Sequence, residues 1–136
     1  MIFRETTQAD VEYMAENSIN KRDERKMMAC VDYIFTLEDE GTPLLVGGFR
    51  LITPTTAWCW FDMSHEAGKH LIVVYRTIKE WLNTFADSHG IIRYQAFVRT
   101  DSPEAIRTVG HLGFTLEGHM EKFFGDEDAF LYKRLI

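Results

Sequence analysis

Residues 101–118 read Asp-Ser-Pro-Glu-Ala-Ile-Arg-Thr-Val-Gly-His-Leu-Gly-Phe-Thr-Leu-Glu-Gly. A polar residue followed by Pro103 predicts a helix start, because the first helical N–H has no partner in the helix and its loss costs nothing there. Ala105, Ile106, Val109 and Leu112 recur at helical spacing as far as Gly113, the residue type that ends a helix in a left-handed turn. Upstream, Ile91 to Val98 reads as a strand. Before it, Leu71, Val74, Tyr75, Ile78, Trp81, Leu82 and Phe85 form one apolar stripe, with Lys69, Arg76, Lys79, Glu80 and Asn83 opposite. That long helix is expected to stop at His89-Gly90. Downstream, Phe114 to Phe124 and Asp128 to Leu135 read as two strands joined by a turn at Gly125-Asp126-Glu127.

The N-terminal half reads differently. Ile2 to Thr6 is a short strand. Thr7 then offers an N-cap, with Asp10 three positions on as a capping-box partner, for a helix from about Gln8 to Ser18. A second, highly charged helix is expected from Lys21 to Cys30, with Met27 and Met28 turned inward. Three strands follow: Tyr33 to Glu38, Leu44 to Ile52 and Ala57 to Met63. Short turns at Asp39-Glu40-Gly41-Thr42-Pro43 and Thr53-Pro54-Thr55-Thr56 make them an antiparallel meander. The pair Gly47-Gly48 predicts a bulge or a close backbone approach.

One domain spanning 1–136 is expected. The chain has 136 residues, 46% hydrophobic, with ten Phe, five Tyr and three Trp, enough for one core. Its net charge of -6, from 15 Lys+Arg against 21 Asp+Glu, argues against nucleic-acid phosphates and favours a cationic partner. Lys21, Arg22, Arg25 and Lys26 are interrupted by Asp23 and Glu24 and read as a solvated helix face. Cys30 and Cys59 are read as two buried, reduced thiols. No apolar run reaches membrane-spanning length and the N-terminus lacks a signal pattern, so a cytoplasmic protein with no membrane partner is expected.

The stretch from Asp101 to Phe114, followed by Leu116-Glu117-Gly118, resembles the C-terminal signature of the GCN5-related N-acetyltransferase (GNAT) superfamily. The order of elements resembles that family over nearly the whole chain. The resemblance implies an α/β fold with a mixed central sheet, an antiparallel N-terminal meander, splayed fourth and fifth strands and flanking helices. It implies acetyl-coenzyme A as acyl donor and a small-molecule or protein amine as acceptor. Backbone groups of Phe61, Asp62 and Met63 would meet the pantetheine arm. Gly68, Lys69 and His70 would meet the pyrophosphate at a helix start, and Ser102 stands at the family's frequent Asn position and would cap the last helix.

The chain departs from that pattern at several places. His65 stands where Gln or Arg is usual and His70 where Gly or Ala is usual, and the approach from Met63 to Gly68 is short. Glu66 would repel pyrophosphate, while Lys69 and His70 would supply cationic or donor groups. A modified coenzyme-A pocket and an ordinary helix start are both open. The position of the usual thiol-protonating Tyr holds Val109. Asp62 is the best candidate base, since Trp60, Phe61 and Met63 would desolvate it. Strand alternation fits better with Asp62 facing solvent opposite an apolar face. His65 is the second candidate.

Five histidines suggest metal, but none falls at zinc-ligand spacing, and no metal site is expected. Trp58 and Trp60 share a strand face and read as packing. The acidic turn Gly125-Asp126-Glu127-Asp128 reads as a solvated hairpin tip that would attract a cationic acceptor. An exposed final strand would allow a homodimer. The degraded turn also resembles small GNAT-like proteins of tailed bacteriophages. That likeness raises a second reading, a binding or assembly protein that no longer catalyses.

Overall fold

The computed structural model describes residues 1–19 and 30–136. The charged segment expected as a helix, with Lys21, Arg22, Arg25, Lys26, Met27 and Met28, lies outside the described residues. Among the described residues there are seven strands: β1 (Ile2–Glu5), β2 (Tyr33–Asp39), β3 (Thr42–Thr53), β4 (Thr56–Met63), β5 (Arg93–Arg99), β6 (Thr115–Phe124) and β7 (Glu127–Leu135). The described helices are α1 (Gln8–Asn17), α2 (Leu71–His89) and α3 (Pro103–His111), with a short 3-10 turn at His65–Lys69. The strands form a mixed sheet in the order β1-β2-β3-β4-β5-β7-β6. β4 and β5 pair in parallel over Thr56–Trp58 and Arg93–Gln95. β1–β2, β2–β3, β5–β7 and β6–β7 pair antiparallel. The expected α/β mixed sheet is therefore present.

Two compact units divide the chain. The first comprises Met1–Arg50 and Cys59–Val74. Its β2–β3 hairpin turns through Glu40 and Gly41, both at positive φ (49° and 84°), the twist that suits a two-residue hairpin. Thr7 caps α1 as expected: its hydroxyl accepts from the Asp10 N–H at 3.3 Å and its N–H donates to Asp10 Oδ2 at 2.8 Å. Asp10 is 3% exposed and also receives Arg4 through two bonds, at 2.6 and 2.9 Å, and the Thr36 hydroxyl at 3.0 Å.

The glycine pair in β3 is a close approach, and the register irregularity lies elsewhere, at Leu37/Glu38. A Cβ on Gly47 would stand 2.7 Å from the Phe61 ring, and one on Gly48 would stand 2.7 Å from Trp60 Nε1 and 2.9 Å from Val31 Cγ1. Gly48→Val therefore overpacks a site closed on two sides. It is expected to cost about 1–3 kcal/mol, read as a lower urea midpoint with unchanged slope.

The second unit comprises Leu51–Trp58 and Tyr75–Ile136. Of the expected α2 stripe, Val74, Ile78, Leu82 and Phe85 are buried and Tyr75 and Trp81 are half-buried, whereas Leu71 at the helix start is exposed. Both of this unit's helices end in the same device. After α2, Gly90 takes φ 69° and the Ile91 N–H returns to the Ala86 carbonyl at 2.9 Å. After α3, Gly113 takes φ 87° and the Phe114 N–H returns to the Val109 carbonyl at 3.0 Å, with both side chains buried. With the Gly113 N–H returning to the Gly110 carbonyl at 3.1 Å, Leu-Gly-Phe is thus a Schellman stop.

β5 alternates, with Tyr94, Ala96 and Val98 buried, and the Tyr94 hydroxyl donates to the Leu82 carbonyl at 2.7 Å. The expected exposed final strand is corrected: β7 pairs with β5 on one side and β6 on the other. Its pattern alone could not show that β6 lies outside it. The cysteine expectation is corrected in part, since Cys59 is buried but Cys30 is exposed; neither is in a disulfide. No described helix is long and apolar enough to cross a membrane.

Candidate functional site

In the first unit, the end of β4 carries the chemistry. Asp62 is 0% exposed, so the solvent-facing alternative is overturned. Alternation misleads there because β4 is covered on both faces: Cys59 and Met63 are buried, and so are Trp60 and Asp62. The Ser18 hydroxyl donates to Asp62 Oδ1 at 2.7 Å. Asp62 Oδ2 and the Trp60 indole N–H, two residues apart on the strand, are buried without a hydrogen-bond partner. Buried polar groups are nearly always satisfied, so this pair marks a place where the fold has left bonding capacity open.

Ser18 reaches Asp62 because the chain turns extended at the end of α1 and runs beside β4. Its own N–H donates to the Met14 carbonyl at 2.9 Å. Ser18 forms an antiparallel bridge with Ser64, and the Ile19 N–H donates to the Met63 carbonyl at 2.9 Å. One backbone acceptor among the three expected pantetheine positions is thus engaged by the chain itself. Phe61 is half-buried, its ring edge-on to Phe49 at 6.2 Å.

Beyond β4 the strand is tied off by Ser64, whose hydroxyl donates to the Pro43 carbonyl at 2.9 Å and whose N–H donates to the Leu44 carbonyl at 2.9 Å. His65 opens the 3-10 turn and is exposed, whereas Asp62 is buried; the two candidate bases stand in opposite environments. Lys69 Nζ lies 3.1 Å from Glu66 Oε2. An exposed pair of this kind is worth little, so Lys69 remains available to a competing anion. The His70 N–H closes the turn on the Ala67 carbonyl at 3.0 Å, and the His70 carbonyl accepts the Val74 N–H at 2.9 Å as α2 begins.

At Gly68 an added Cβ would meet nothing within 4 Å, and φ is not in the left-handed region. The protein's own packing and backbone therefore do not require glycine here. The open Gly68 position and the Lys69 cation, paired with Glu66, thus lie just before the start of a 19-residue helix.

In the second unit, Ser102 occupies the N-cap of α3, but the expected side-chain cap is corrected: its hydroxyl makes no capping bond, and Pro103 starts the helix. Proline's fixed φ already presets that turn. Val109, at the position of the usual Tyr, is buried. A phenol does reach this helix from elsewhere, a feature the sequence did not reveal. Tyr75 of α2 stacks on His111 with ring centroids 5.0 Å apart, and its hydroxyl is 3.4 Å from the Thr108 hydroxyl. The acidic hairpin is partly spent on itself: Glu127 pairs with Arg99, and Asp128 accepts from the Lys122 N–H at 3.0 Å and contacts His119 at 2.7 Å. The Lys122 N–H first, then His119, holds the Asp128 carboxyl below its usual range.

No sequence-family profile and no curated protein sequence matches the chain. Solved structures do. Ard1 of Thermoplasma volcanium shares 18% identity over 99% of this chain and 97% of its own, with a TM-score of 0.78. A chimera of spermidine N-acetyltransferase SpeG from Vibrio cholerae and hSSAT shares 18% over 99% and 96%, with a TM-score of 0.75. RimL, a ribosomal alpha-N-protein acetyltransferase in complex with coenzyme A, shares 18% over 98% and 93%, with a TM-score of 0.73. Likeness at such low identity is likeness of fold.

Proposed function

We propose that this chain, which has the fold of the GNAT acetyltransferases, transfers an acetyl group from acetyl-coenzyme A to an amine of a small-molecule or protein acceptor. The observation that carries the reading is the buried Asp62 carboxylate, anchored through one oxygen and open at the other. An amine attacks a thioester only as the neutral base, so the reaction needs an acceptor for its proton, a role that a carboxylate fills directly or through a bound water. Acetyl-coenzyme A supplies the activated carbonyl: the new C–N bond forms as the C–S bond breaks. Asp62 Oδ2 takes the proton the nitrogen sheds. Gly68, Lys69 and His70 hold the phosphate end. Phe61, Asp62 and Met63 offer backbone groups to the arm, and Ser102 starts the last helix. His65 is the weaker base, since no described side chain orients its exposed ring.

The acceptor class follows the neighbours' own names, a polyamine or the α-amino group of a protein. The net charge of -6 favours such a cationic acceptor. The second reading, a GNAT-fold binding or assembly protein without catalysis, is favoured by the Met63 carbonyl being held by Ile19. A calorimetric titration with acetyl-coenzyme A separates them. Wild-type protein is expected to bind at ~1 µM, about −8 kcal/mol. Gly68→Trp should bind at least about 10-fold more weakly, which is about 1.4 kcal/mol. Its melting temperature is read alongside, and a folded variant is expected because a Cβ there meets open space. A folded wild type that binds nothing would leave only the second reading.

A further inference from the structure

We propose that Ser18 is the positioning residue for Asp62, fixing one carboxylate oxygen so that the other is held toward the reacting amine. This rests on the acetyltransferase reading above. Two buried carboxylates in the first unit show what is distinctive. Asp10 is saturated: Arg4, the Thr7 N–H and the Thr36 hydroxyl occupy both of its oxygens. A carboxylate so held, with a guanidinium against it, is a structural tie with no capacity to spare for a proton. Asp62 has a single neutral donor on Oδ1 and nothing on Oδ2. It is equally removed from water, at 0% exposed, so no solvent shell competes for the open oxygen.

A carboxylate on a single χ2 torsion turns broadly, because that torsion has only shallow wells. One anchored oxygen removes that freedom. The anchor must itself be held in place, and Ser18 is tied through its backbone. It is 2% exposed. Its N–H is bound to Met14, its backbone bridges Ser64, and the next N–H is bound to Met63. The hydroxyl is thus presented from a backbone pinned on both sides, by a residue 44 positions away in sequence. A hydroxyl suits the task better than a cation would. It orients the carboxylate without the charge pairing that ties up Asp10.

The test compares wild type with S18A and S18T, using acetyl-coenzyme A with spermidine and with an alanine-initiated peptide, and following released thiol. S18A is expected to lower kcat about 10- to 100-fold, as small misplacements of catalytic groups do. KM for acetyl-coenzyme A should be unchanged. S18T, which keeps the hydroxyl, should stay within about 3-fold of wild type on kcat, under 1 kcal/mol of barrier. A crystal structure of S18A should show the Asp62 carboxylate turned from its wild-type orientation. Should S18A not fold, S18C keeps the volume with a much weaker donor and takes its place. Full kcat in S18A, or an unmoved carboxylate, overturns the proposal while leaving the acetyltransferase reading intact. If wild type fails to bind acetyl-coenzyme A, that reading falls, and the crystallographic arm still decides whether Ser18 orients Asp62.

Discussion

Asp62→Asn is expected to reduce turnover with acetyl-coenzyme A and an amine acceptor by about 10²–10⁴-fold, the usual contribution of a positioned base. The substitution is close to isosteric, and its amide oxygen can still accept the Ser18 hydroxyl, so the link between the end of α1 and β4 survives. What disappears is the basic second oxygen. The new amide hydrogens would be buried where Oδ2 now has no partner, a cost of about 1–3 kcal/mol in stability. Calorimetry should find acetyl-coenzyme A affinity nearly unchanged. Adding S18A to this variant should lower kcat no further, because residues that act as a unit are not additive. Undiminished turnover would move the base role to His65 or a bound water.

Asp10→Ala is expected to destabilise the protein by about 2–4 kcal/mol, a large share of a typical domain's stability. It deletes the capping partner of Thr7 and leaves the Thr36 hydroxyl and the part-buried Arg4 without their shared acceptor. Arg4 keeps Glu38 at 3.1 Å, which holds the loss below that of a fully orphaned charge. The same tie sets an acid limit. Burial alone would raise the Asp10 carboxyl; the Arg4 bond above all, then the Thr7 N–H and the Thr36 hydroxyl, overcome this and hold it at about 2 against 3.8 for a free side chain. A lowered folded value means the stabilisation is complete above about pH 4 and is lost as pH falls through about 2. That difference amounts to about 2 kcal/mol. Urea melts of wild type and variant at pH 7 and at about pH 2 check it. The gap between their midpoints should narrow on acidification.

What could be read from the sequence was what is local. Pro103 and Gly113 bracket α3 through bonds between near neighbours, and the Thr7–Asp10 box spans one helical turn. The α2 stripe is a matter of period alone, and its buried residues follow it. The candidate site was legible only by position. Asp62 was visible as a carboxylate among aromatics, but its burial depends on a segment far away in the chain folding across it. Tyr75 meeting Thr108 spans 33 residues and has no sequence signal. Ser102 had the right type for a cap, yet proline beside it makes the side-chain bond dispensable.

The place of β7 bears on how the second unit comes into being. β7 is the last of the seven strands to be synthesised, yet β6 and β5 lie on its two sides. Until it emerges, β6 has no partner in this sheet order, and the alternating face of β5 is unsupported along one edge. The β5-β7-β6 part of the sheet is therefore complete only once β7 is available, although β5 can already pair with β4.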